Sequence, residues 1–531
     1  MLRPTFVFCL LAASRLGAAE PFAVLAPADF AHHVTRFNTM EPETVVNVVP
    51  DSAAWDWLRA QIPLFTCPDR EVEEIYFFRW WSLRKHLLKT PAGGYAFTEF
   101  LERKDPISSA VGHHVMEGRW LHDPAFIDDY ARYWLRGGPD GAQHPSFHNY
   151  SEWLAHALYS RWLVNGDTAF LTGLLDDFVR DYAQWDKERL TPGGLYWQYD
   201  VRDAMEEAIS GARTKQNLRP PLNCYQFGNA TAIAAIARLA HRDDLAREFD
   251  AKAAALRRLV EDRLWDEHAK FFKVRLEDGL PDAPKARRRD PAMTVPADKL
   301  YATLSDAREA IGFIPWYFSL PEPGHGFEAS WGQFADETGF RAPFGLTTAE
   351  RRHPQFRTHG VGGCEWDGAV WPYATSQTLT ALANVLRESG TGILPVSASD
   401  WFDAFRTYVH SQHDTEGRPY IGEYLDEKTG QWIDRGTRSR DYNHSTFADL
   451  VITGVVGLVP RADDVVEISP LLPAGTWDWF CLDGVSYHSR LLTIVWDRTG
   501  EKFQRGAGLT VLADGKSIAH SAQLAPLTGK L

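Results

Sequence analysis

The chain has 531 residues, of which 44% are hydrophobic and 24% charged, values typical of a globular protein rather than a disordered or fibrous one. Its 70 acidic and 56 basic residues give a formal charge of −14. This balance argues against nucleic acid as a partner, since phosphate binding relies on Lys and Arg. The 20 Trp residues supply flat aromatic faces in addition to a large core.

The N-terminal residues resemble an export signal. Arg3 precedes an apolar run at 5–13, and small residues at 17–19 suit a cleavage site before Glu20. We therefore expect residues 1–19 to be a signal peptide and the mature protein to be periplasmic or secreted, with a frayed cytosolic terminus as the alternative. No other run reaches the roughly 18 apolar residues of a membrane span, so we expect none.

Apolar residues then recur at helical spacing over most of the chain. The predicted helices cover 71–89, 123–136, 150–164, 168–189, 228–241, 243–264, 306–318, 370–388, 398–412 and 443–457. Helix pairs that close into a ring each bury one face and leave loops at one rim for chemistry. We predict a mainly α fold, with an N-terminal segment at 20–60 and a helical catalytic domain at 61–460.

The pattern changes after residue 460. Short β-rich runs appear at 465–468, 491–496 and 509–512, separated by turn residues such as those at 513–516. We predict a small β-sandwich over residues 461–531.

Cysteine and histidine spacing does not indicate a metal site. The cysteines that follow the signal are far apart and form no CxxC pair, which favours buried thiols over a zinc ribbon or a disulfide scaffold. The histidines show no recognisable ligand spacing. The residues concerned are Cys67, Cys224, Cys364, Cys481, His113, His114, His148 and His444. We expect no metal and no cofactor.

Three segments combine carboxylates with aromatic rings. In the first, 196–207, Asp200, Asp203 and Glu206 are three residues apart, so a helical turn would place them on one face. Burial beside Trp197 would disfavour the charged form and raise a carboxyl pKa, as a general acid requires. A helix N-terminus that is acidic for dipole reasons is the alternative.

The second segment, 364–372, places Trp366 and Trp371 on either side of Asp367. Trp faces suit the C–H face of a pyranose ring, and carboxylates suit the hydroxyls at its edge. A helix start packed by aromatic rings is the alternative. The third segment begins at Glu423 and is followed by residues 441–445. Taken alone, its first part is an acidic turn.

Together these segments resemble the (α/α)6-toroid glycoside hydrolases of the processing α-glucosidase, mannosylglycerate hydrolase and trehalase type. Residues 219–225 are similar to the family segment Arg-Pro-x-x-Asn-x-Tyr, residues 366–371 to Trp-x-Gly-Pro-x-Trp, and residues 423–430 to Glu-x-Tyr-Asp-Pro-x-Thr-Gly. The resemblance covers residues 60–457. It implies an (α/α)6 toroid, and a C-terminal sandwich is common in such six-hairpin glycosidases.

The resemblance also implies an activity. The family hydrolyses O-glycosidic bonds, so an oligo- or polysaccharide is the expected substrate, with exo action and inversion. Glu423 matches the family's general base. The family's acid is an Asp, for which this chain offers Glu206, after Met205, or Asp203 as the rival. Inversion requires the two carboxyl groups to be roughly 6.5–9.5 Å apart, with a water between them.

A further set of residues could contact the sugar, and core packing or a structural hydrogen bond is the alternative for each of them. The set comprises Arg79, Trp80, Trp120, Trp153, Trp197, Asp200, Asn223, Tyr225, Trp366, Asp367, Trp371 and His444.

Two other functions are compatible with the sequence. A polysaccharide lyase needs a Tyr or His base and a group that neutralises a uronic acid, and residues 147–150 with Arg79 or Arg84 supply these types. A sugar-binding protein without catalysis would bind its ligand even with Glu423 replaced. The sequence does not distinguish gluco, manno, rhamno and arabino rings, nor does it give an oligomeric state.

Overall fold

The computed structural model describes residues 22–278, 301–360, 363–389, 394–433 and 436–531. The predicted signal peptide lies outside these ranges. The described chain is mainly helical up to residue 457 and is built largely of β-strands after it, as predicted.

The helices have the following bounds. They are α1 (Ala31–Met40), α2 (Ala54–Gln61), α3 (Arg70–Lys85), α4 (Val111–Gly118), α5 (Ala125–Arg136), α6 (Leu154–Asn165), α7 (Thr168–Thr172), α8 (Leu175–Arg189), α9 (Pro220–Leu239), α10 (Asp243–Leu264), α11 (Ile314–Tyr317), α12 (Pro372–Glu388), α13 (Ala398–Ser411) and α14 (Ala448–Leu450).

Helical spacing located most of the long helices to within a few residues. α9 is the largest exception, since it begins at Pro220 rather than at residue 228. Proline suits the first turn of a helix, where its missing N–H has no partner in any case. The α4 helix was not predicted as an element, and all eight of its residues are buried.

The helix predicted at 306–318 is wrong in most of its length. The chain forms a 3-10 turn at Ala310–Phe313, and then the single turn of α11. Glu309, just before the turn, has an extended backbone. Pro315 cannot donate the N–H that would continue a helix from the preceding turn. Ser319, with φ of 50°, turns the chain away after α11.

The helix predicted at 443–457 begins later than expected. The side chain of Glu117 accepts hydrogen bonds from the backbone N–H groups of Phe447, Ala448 and Asp449, at 2.8–3.2 Å, and so occupies the N-terminal end of α14. A wider π-type turn at Val451–Val456 continues α14 and ends at Gly457, whose φ is 85°. Residues before 447 remain a loop.

Helix packing builds one large buried core. α9 packs against α6, α8 and α10, and α12 packs against α11 and α13. Pairs of short antiparallel strands, each two or three residues long, lie between several helices. They are β2 (Leu87–Lys89) with β3 (Tyr95–Phe97), β4 (Trp197–Gln198) with β5 (Asn217–Leu218), β6 (Trp265–Asp266) with β7 (Phe271–Phe272), and β8 (Arg341–Ala342) with β9 (Gly345–Leu346).

The C-terminal region forms two antiparallel sheets. One has the order β1-β12-β13-β14-β15 and the other β10-β11-β16. Their strands are β1 (Leu64–Thr66), β10 (Leu458–Val459), β11 (Val465–Ile468), β12 (Trp479–Tyr487), β13 (Arg490–Asp497), β14 (Gly508–Ala513), β15 (Lys516–Ser521) and β16 (Leu527–Lys530). The three predicted runs correspond to β11, β13 and β14.

One strand of the larger sheet comes from far upstream. β1 lies before the first long helix and pairs with β12, with Leu64 opposite Asp483. The Asp483 carboxylate also accepts hydrogen bonds from the backbone N–H groups of Val24 and Leu25, at 2.6 and 2.8 Å. The N-terminal segment is therefore attached to the C-terminal sheet.

None of the helices in the described ranges is both long enough and apolar enough to cross a bilayer. No disulfide joins any of the four described cysteines, and Cys67, Cys224 and Cys481 are buried.

Candidate active site

Loops from distant parts of the chain line a cavity that, together with its opening to solvent, contains about 520 Å³ of empty space. Glu206 and Glu423, the candidate acid and base, both line it. The full lining comprises Glu99, Phe100, Arg103, Ile107, Ser109, Tyr150, Ala204, Glu206, Cys364, Trp371, Tyr373, Glu423, Arg438, Tyr442 and His444. The structure thus brings together two carboxylates that the sequence separates by more than two hundred residues.

A strained loop presents Glu206. The chain forms a 3-10 turn at Asp200–Arg202 rather than the helical turn that we expected, so Asp200, Asp203 and Glu206 do not share a helix face. Ala204 and Glu207 adopt left-handed backbone angles, with φ of 59° and 66°. Such conformations cost about 1–2 kcal/mol for a residue with a Cβ, and they tend to occur where function fixes the backbone.

Hydrogen bonds from both sides hold this loop. The Asp200 carboxylate accepts from the backbone N–H groups of Val201 and Glu207, at 2.6 and 3.2 Å. The backbone N–H of Trp366 donates to the carbonyl oxygen of Glu206 at 3.3 Å. The second aromatic segment therefore fixes the backbone of the candidate acid.

The surroundings of Glu206 favour its neutral form. Burial raises the pKa of Glu206 to about 8, and the negative charges of Asp200 and Glu423 act in the same direction. Arg213, which forms an ion pair with Glu207 at 3.0 Å, partly opposes this shift. A carboxyl group with this pKa holds its proton at neutral pH, as a general acid must.

Glu423 lies in a polar part of the cavity. Its Oε2 accepts from the Ser439 hydroxyl at 3.2 Å, and its Oε1 lies 3.4 Å from the Tyr442 hydroxyl. Arg438 Nη1 is 4.0 Å from Oε2. A carboxylate with these donors and a neighbouring guanidinium is suited to accept a proton from water.

An antiparallel bridge joins the second and third segments. Val370 and Leu425 exchange backbone hydrogen bonds of 3.0 Å in both directions. This pairing stacks Trp371 on Tyr424, with ring centroids 4.7 Å apart, while Trp366 stacks on Trp371 at 4.8 Å. Of the three rings, Trp371 lines the cavity, and the others fix its orientation.

Asp203, the rival acid, is not among the residues that line the cavity. Arg219 Nε donates to its Oδ2 at 2.7 Å, and the Ser151 hydroxyl donates to its Oδ1 at 2.7 Å. Burial raises the pKa of Asp203, while the charge of Arg219 opposes the shift. This geometry is that of a structural ion pair.

Trp371 and His444 are the members of the predicted substrate-contact set that line the cavity. The other members make buried structural contacts around it. Trp366 and Asp200 were described above. Five of the others make hydrogen bonds: the Asp367 carboxylate accepts from the backbone N–H groups of His359 and Gly360, Asn223 bonds both backbone groups of Tyr196, Tyr225 accepts from Gln377, Trp120 donates to Asp449, and Arg79 donates to Tyr408, Gln412 and Ser445. The remaining three make ring contacts: Trp153 packs on Tyr225, Trp197 lies under Arg189, and Trp80 packs edge-on against Tyr76.

Glu99 is a third cavity carboxylate that we did not predict. It follows strand β3, and its side chain accepts hydrogen bonds from Tyr442 and, at 2.9 Å, from Ser109. Burial raises its pKa to about 7. Glu99 lies between Phe97 and Phe100, so a combination of acid and aromatic residues, like the one that drew attention to segment 196–207, could have identified it too.

The residues considered for lyase chemistry are mostly engaged elsewhere. His148 lies 2.7 Å from Asp181 and 3.2 Å from Glu188. Arg84 forms an ion pair with Asp51 at 2.7 Å. Tyr150 does line the cavity, but neither Arg79 nor Arg84 is in its lining.

Two family models match the chain. The model of the mannosylglycerate hydrolase MGH1-like glycoside hydrolase domain matches residues 104–445, and that of the glycosyl hydrolase family 65 C-terminal domain matches residues 460–520. A solved structure described as a sialidase is 45% identical over 95% of this chain, with a TM-score of 0.88. The present chain spans only 45% of that protein's length.

More distant structures share the fold. The GH63 mannosylglycerate hydrolase from Thermus thermophilus, solved with glucose, is 14% identical, with a TM-score of 0.52 over 71% of this chain and 99% of its own. The GH78 family rhamnosidase of Bacillus sp. GL1 is 13% identical, with a TM-score of 0.56 over 85% of this chain and 41% of its own. Because the first family model covers well over half of the sequence, the chain belongs to the mannosylglycerate hydrolase MGH1-like glycoside hydrolase domain family, which confirms the resemblance of its motifs.

Proposed function

We propose that this chain hydrolyses an O-glycosidic bond of an oligo- or polysaccharide, with inversion of the anomeric configuration. The observation that carries the proposal is that Glu206 and Glu423 line one cavity, together with the aromatic rings of Trp371 and Tyr373. The two carboxylates differ in their surroundings, as an acid and a base should.

The roles follow from those surroundings. Glu206, whose pKa is about 8, donates its proton to the glycosidic oxygen while the bond from that oxygen to the anomeric carbon breaks. Glu423 removes a proton from the water whose oxygen bonds to the opposite face of the same carbon. The reaction leaves Glu206 ionised and Glu423 protonated, and exchange of both protons with solvent restores the starting state.

The same proposal includes the fold of the helical domain and the location of the protein in or outside the cell. The helix pairs form an (α/α)6 toroid whose loops carry the cavity at one rim, and the protein acts from a chain end, as the family resemblance implies. Residues 1–19 direct the protein to the periplasm or the medium. The match to the glycoside hydrolase family model supports the architecture.

The test is a panel of aryl glycosides and of plant and bacterial oligosaccharides, with the anomer of the first product assigned by proton NMR. We expect inversion, and loss of at least 10³-fold in kcat for Glu206→Gln and for Glu423→Gln. Glu102→Gln is the matched control, because Glu102 is exposed and close in sequence to the cavity residue Glu99. Retention of configuration would contradict the proposal.

The two alternatives give distinct results in the same panel. A lyase would form an unsaturated sugar that absorbs in the ultraviolet, without consuming water. A binding protein would retain sugar affinity in Glu423→Gln and turn over no substrate.

A further inference from the structure

Glu99 and Glu423 share one hydroxyl group. Tyr442 donates its hydroxyl to Glu99 Oε1, and the same hydroxyl oxygen lies 3.4 Å from Glu423 Oε1. The Ser109 hydroxyl donates to the second oxygen of Glu99 at 2.9 Å, and that of Ser439 donates to the second oxygen of Glu423 at 3.2 Å. Two buried carboxylates are therefore linked through a single tyrosine.

A phenolic hydroxyl carries one proton but can also accept a hydrogen bond. When Glu99 is ionised, it competes with Glu423 for the Tyr442 proton. When Glu99 is protonated, its own O–H can donate to the Tyr442 oxygen, and the Tyr442 proton can then point at Glu423. The protonation state of Glu99 thus decides whether Glu423 receives this donor.

We propose that Glu99 is a positioning residue for Glu423 and acts through the Tyr442 hydroxyl, an inference that rests on the role of Glu423 proposed above. With Glu99 protonated, hydrogen bonds from Ser439 and Tyr442 hold both oxygens of Glu423, so the oxygen that accepts the water proton has a fixed direction. With Glu99 ionised, Glu423 loses one of these donors and faces a second negative charge across the cavity. The active form of the site therefore has Glu99 protonated.

The surroundings of Glu99 place its pKa in the neutral range. Burial raises its pKa to about 7, the charge of Glu423 adds to the shift, and hydrogen bonds from Tyr442 and Ser109 oppose it. The titratable or charged groups that face it are Arg103 on its own segment, Tyr130 of α5, Tyr373 of α12, and Glu423, Arg438, Tyr442 and His444 on the loops opposite.

The proposal predicts a particular pH profile. For the aryl glycoside with the highest turnover in the panel, the alkaline limb of kcat/KM should contain two ionisations, Glu99 near 7 and Glu206 near 8. Glu99→Gln keeps the shape of the side chain, places a permanent N–H donor toward Tyr442 and cannot ionise. We expect it to retain activity within a fewfold at acidic pH and to lose the lower ionisation, so that its alkaline limb falls near 8 alone.

A double-variant cycle separates a route through the hydroxyl from a direct effect of charge. In a Tyr442→Phe background, Glu99→Gln should change the alkaline limb little, because the link between the two carboxylates is gone. The inference is overturned if Glu99→Gln leaves the profile unchanged, or if its full effect persists without the Tyr442 hydroxyl. Loss of activity in Glu423→Gln tests the catalytic base separately, so failure of one assignment does not imply failure of the other.

A second readout needs no substrate. In protein labelled with ¹³C at the Glu side-chain carboxyl, the signals lost in Glu99→Gln and Glu423→Gln identify the two groups. We expect the Glu423 signal to shift in the same pH step in which Glu99 titrates, and this response to shrink in Tyr442→Phe. An unaltered response in Tyr442→Phe, or none in the wild type, would contradict the inference.

Discussion

Arg219 Nε lies 2.7 Å from Asp203 Oδ2, and both side chains are completely buried. Asp203 is three residues before Glu206, and Arg219 stands immediately before helix α9. This ion pair therefore fastens the loop that carries the candidate acid to the start of a core helix. The ion pair distinguishes the two candidate acids, because Asp203 is paired with Arg219 whereas Glu206 faces the cavity.

Removing the Asp203 charge should destabilise the protein. Asp203→Asn removes the charged hydrogen-bond partner of the buried Arg219 guanidinium and leaves only the charges of Glu309 and Asp200 to act on it. Losses of about 3–5 kcal/mol are typical when one partner of a buried pair is removed. Urea denaturation should show this decrease in the free energy of unfolding, whereas Glu206→Gln should show no such loss. A stable Asp203→Asn protein devoid of activity would instead identify Asp203 as the acid.

Glu206 should make stability depend on pH. Its pKa in the folded protein, about 8, exceeds the value of about 4.3 in an unfolded chain. The folded state therefore binds the extra proton between these values, and the contribution of Glu206 to stability falls as pH rises through that window. We expect Glu206→Gln to be more stable than the wild type at pH 8, by about 1 kcal/mol or more.

Urea titrations of the two proteins at about pH 5 and pH 8 measure this difference. It should shrink toward the lower pH, because Glu206 stays protonated in the folded state and pH 5 is within about one pH unit of its pKa of about 4.3 in the unfolded chain. The exposed variant Glu102→Gln should show neither gain nor pH dependence. A constant difference between wild type and Glu206→Gln would mean that the Glu206 pKa is not raised.

Stability should depend on the side chain at Ala204, the left-handed residue two positions before Glu206. Ala204 has φ of 59°, a conformation that glycine adopts without strain and that β-branched residues adopt only at high cost. We expect Ala204→Gly to change the free energy of unfolding by less than about 1 kcal/mol and Ala204→Val to lower it by about 2 kcal/mol.

Activity should follow the same order. Ala204→Val would displace the Glu206 carboxyl and lower kcat by at least about tenfold, which corresponds to about 1.4 kcal/mol in the barrier, while Ala204→Gly would leave kcat close to that of the wild type. Equal effects of the two substitutions on kcat would show that the backbone angle at this residue does not position Glu206.

Trp371 should matter both for the wall of the cavity and for the fold. It lies between Trp366 and Tyr424 and is almost fully buried. Trp371→Ala should lower the free energy of unfolding by about 3–5 kcal/mol and reduce kcat/KM at least about tenfold. Trp371→Phe retains a ring in the stack and should lose less in both measurements. If both variants bound substrate as the wild type does, Trp371 would have only a packing role.

The sequence was most informative where side-chain periodicity was strong. Helices such as α8 and α10 have a buried and an exposed face, so their spacing identified them. The spacing of three between the acids of segment 200–207 predicted a helical turn. The segment forms a loop instead, because Ala204 and Glu207 take left-handed angles that reverse the chain. Strand β12 was missed because a bulge between Asp483 and Val485 interrupts its alternation.

The candidate site was predictable only in part, for a physical reason. Motifs identified Glu206, Glu423, Trp371 and His444, each of which lies in a segment with several aromatic or acidic residues. The flanking Phe97 and Phe100 could have suggested Glu99 as a candidate, but its contacts with Tyr442 and Ser109 are tertiary and no local pattern encodes them. The same holds for Arg438, whose guanidinium lies over the Phe100 ring at 4.5 Å.

The pairing of β1 with β12 has a consequence for biosynthesis. Residues 64–66 leave the ribosome about 400 residues before their partners at 481–483, an interval of roughly 20–80 s at 5–20 residues per second. Until then the upstream strand has an unpaired edge, and closing so distant a contact is intrinsically slow. A shortened protein that stops at residue 460 would never close it, so the strand would stay open to pairing with other chains.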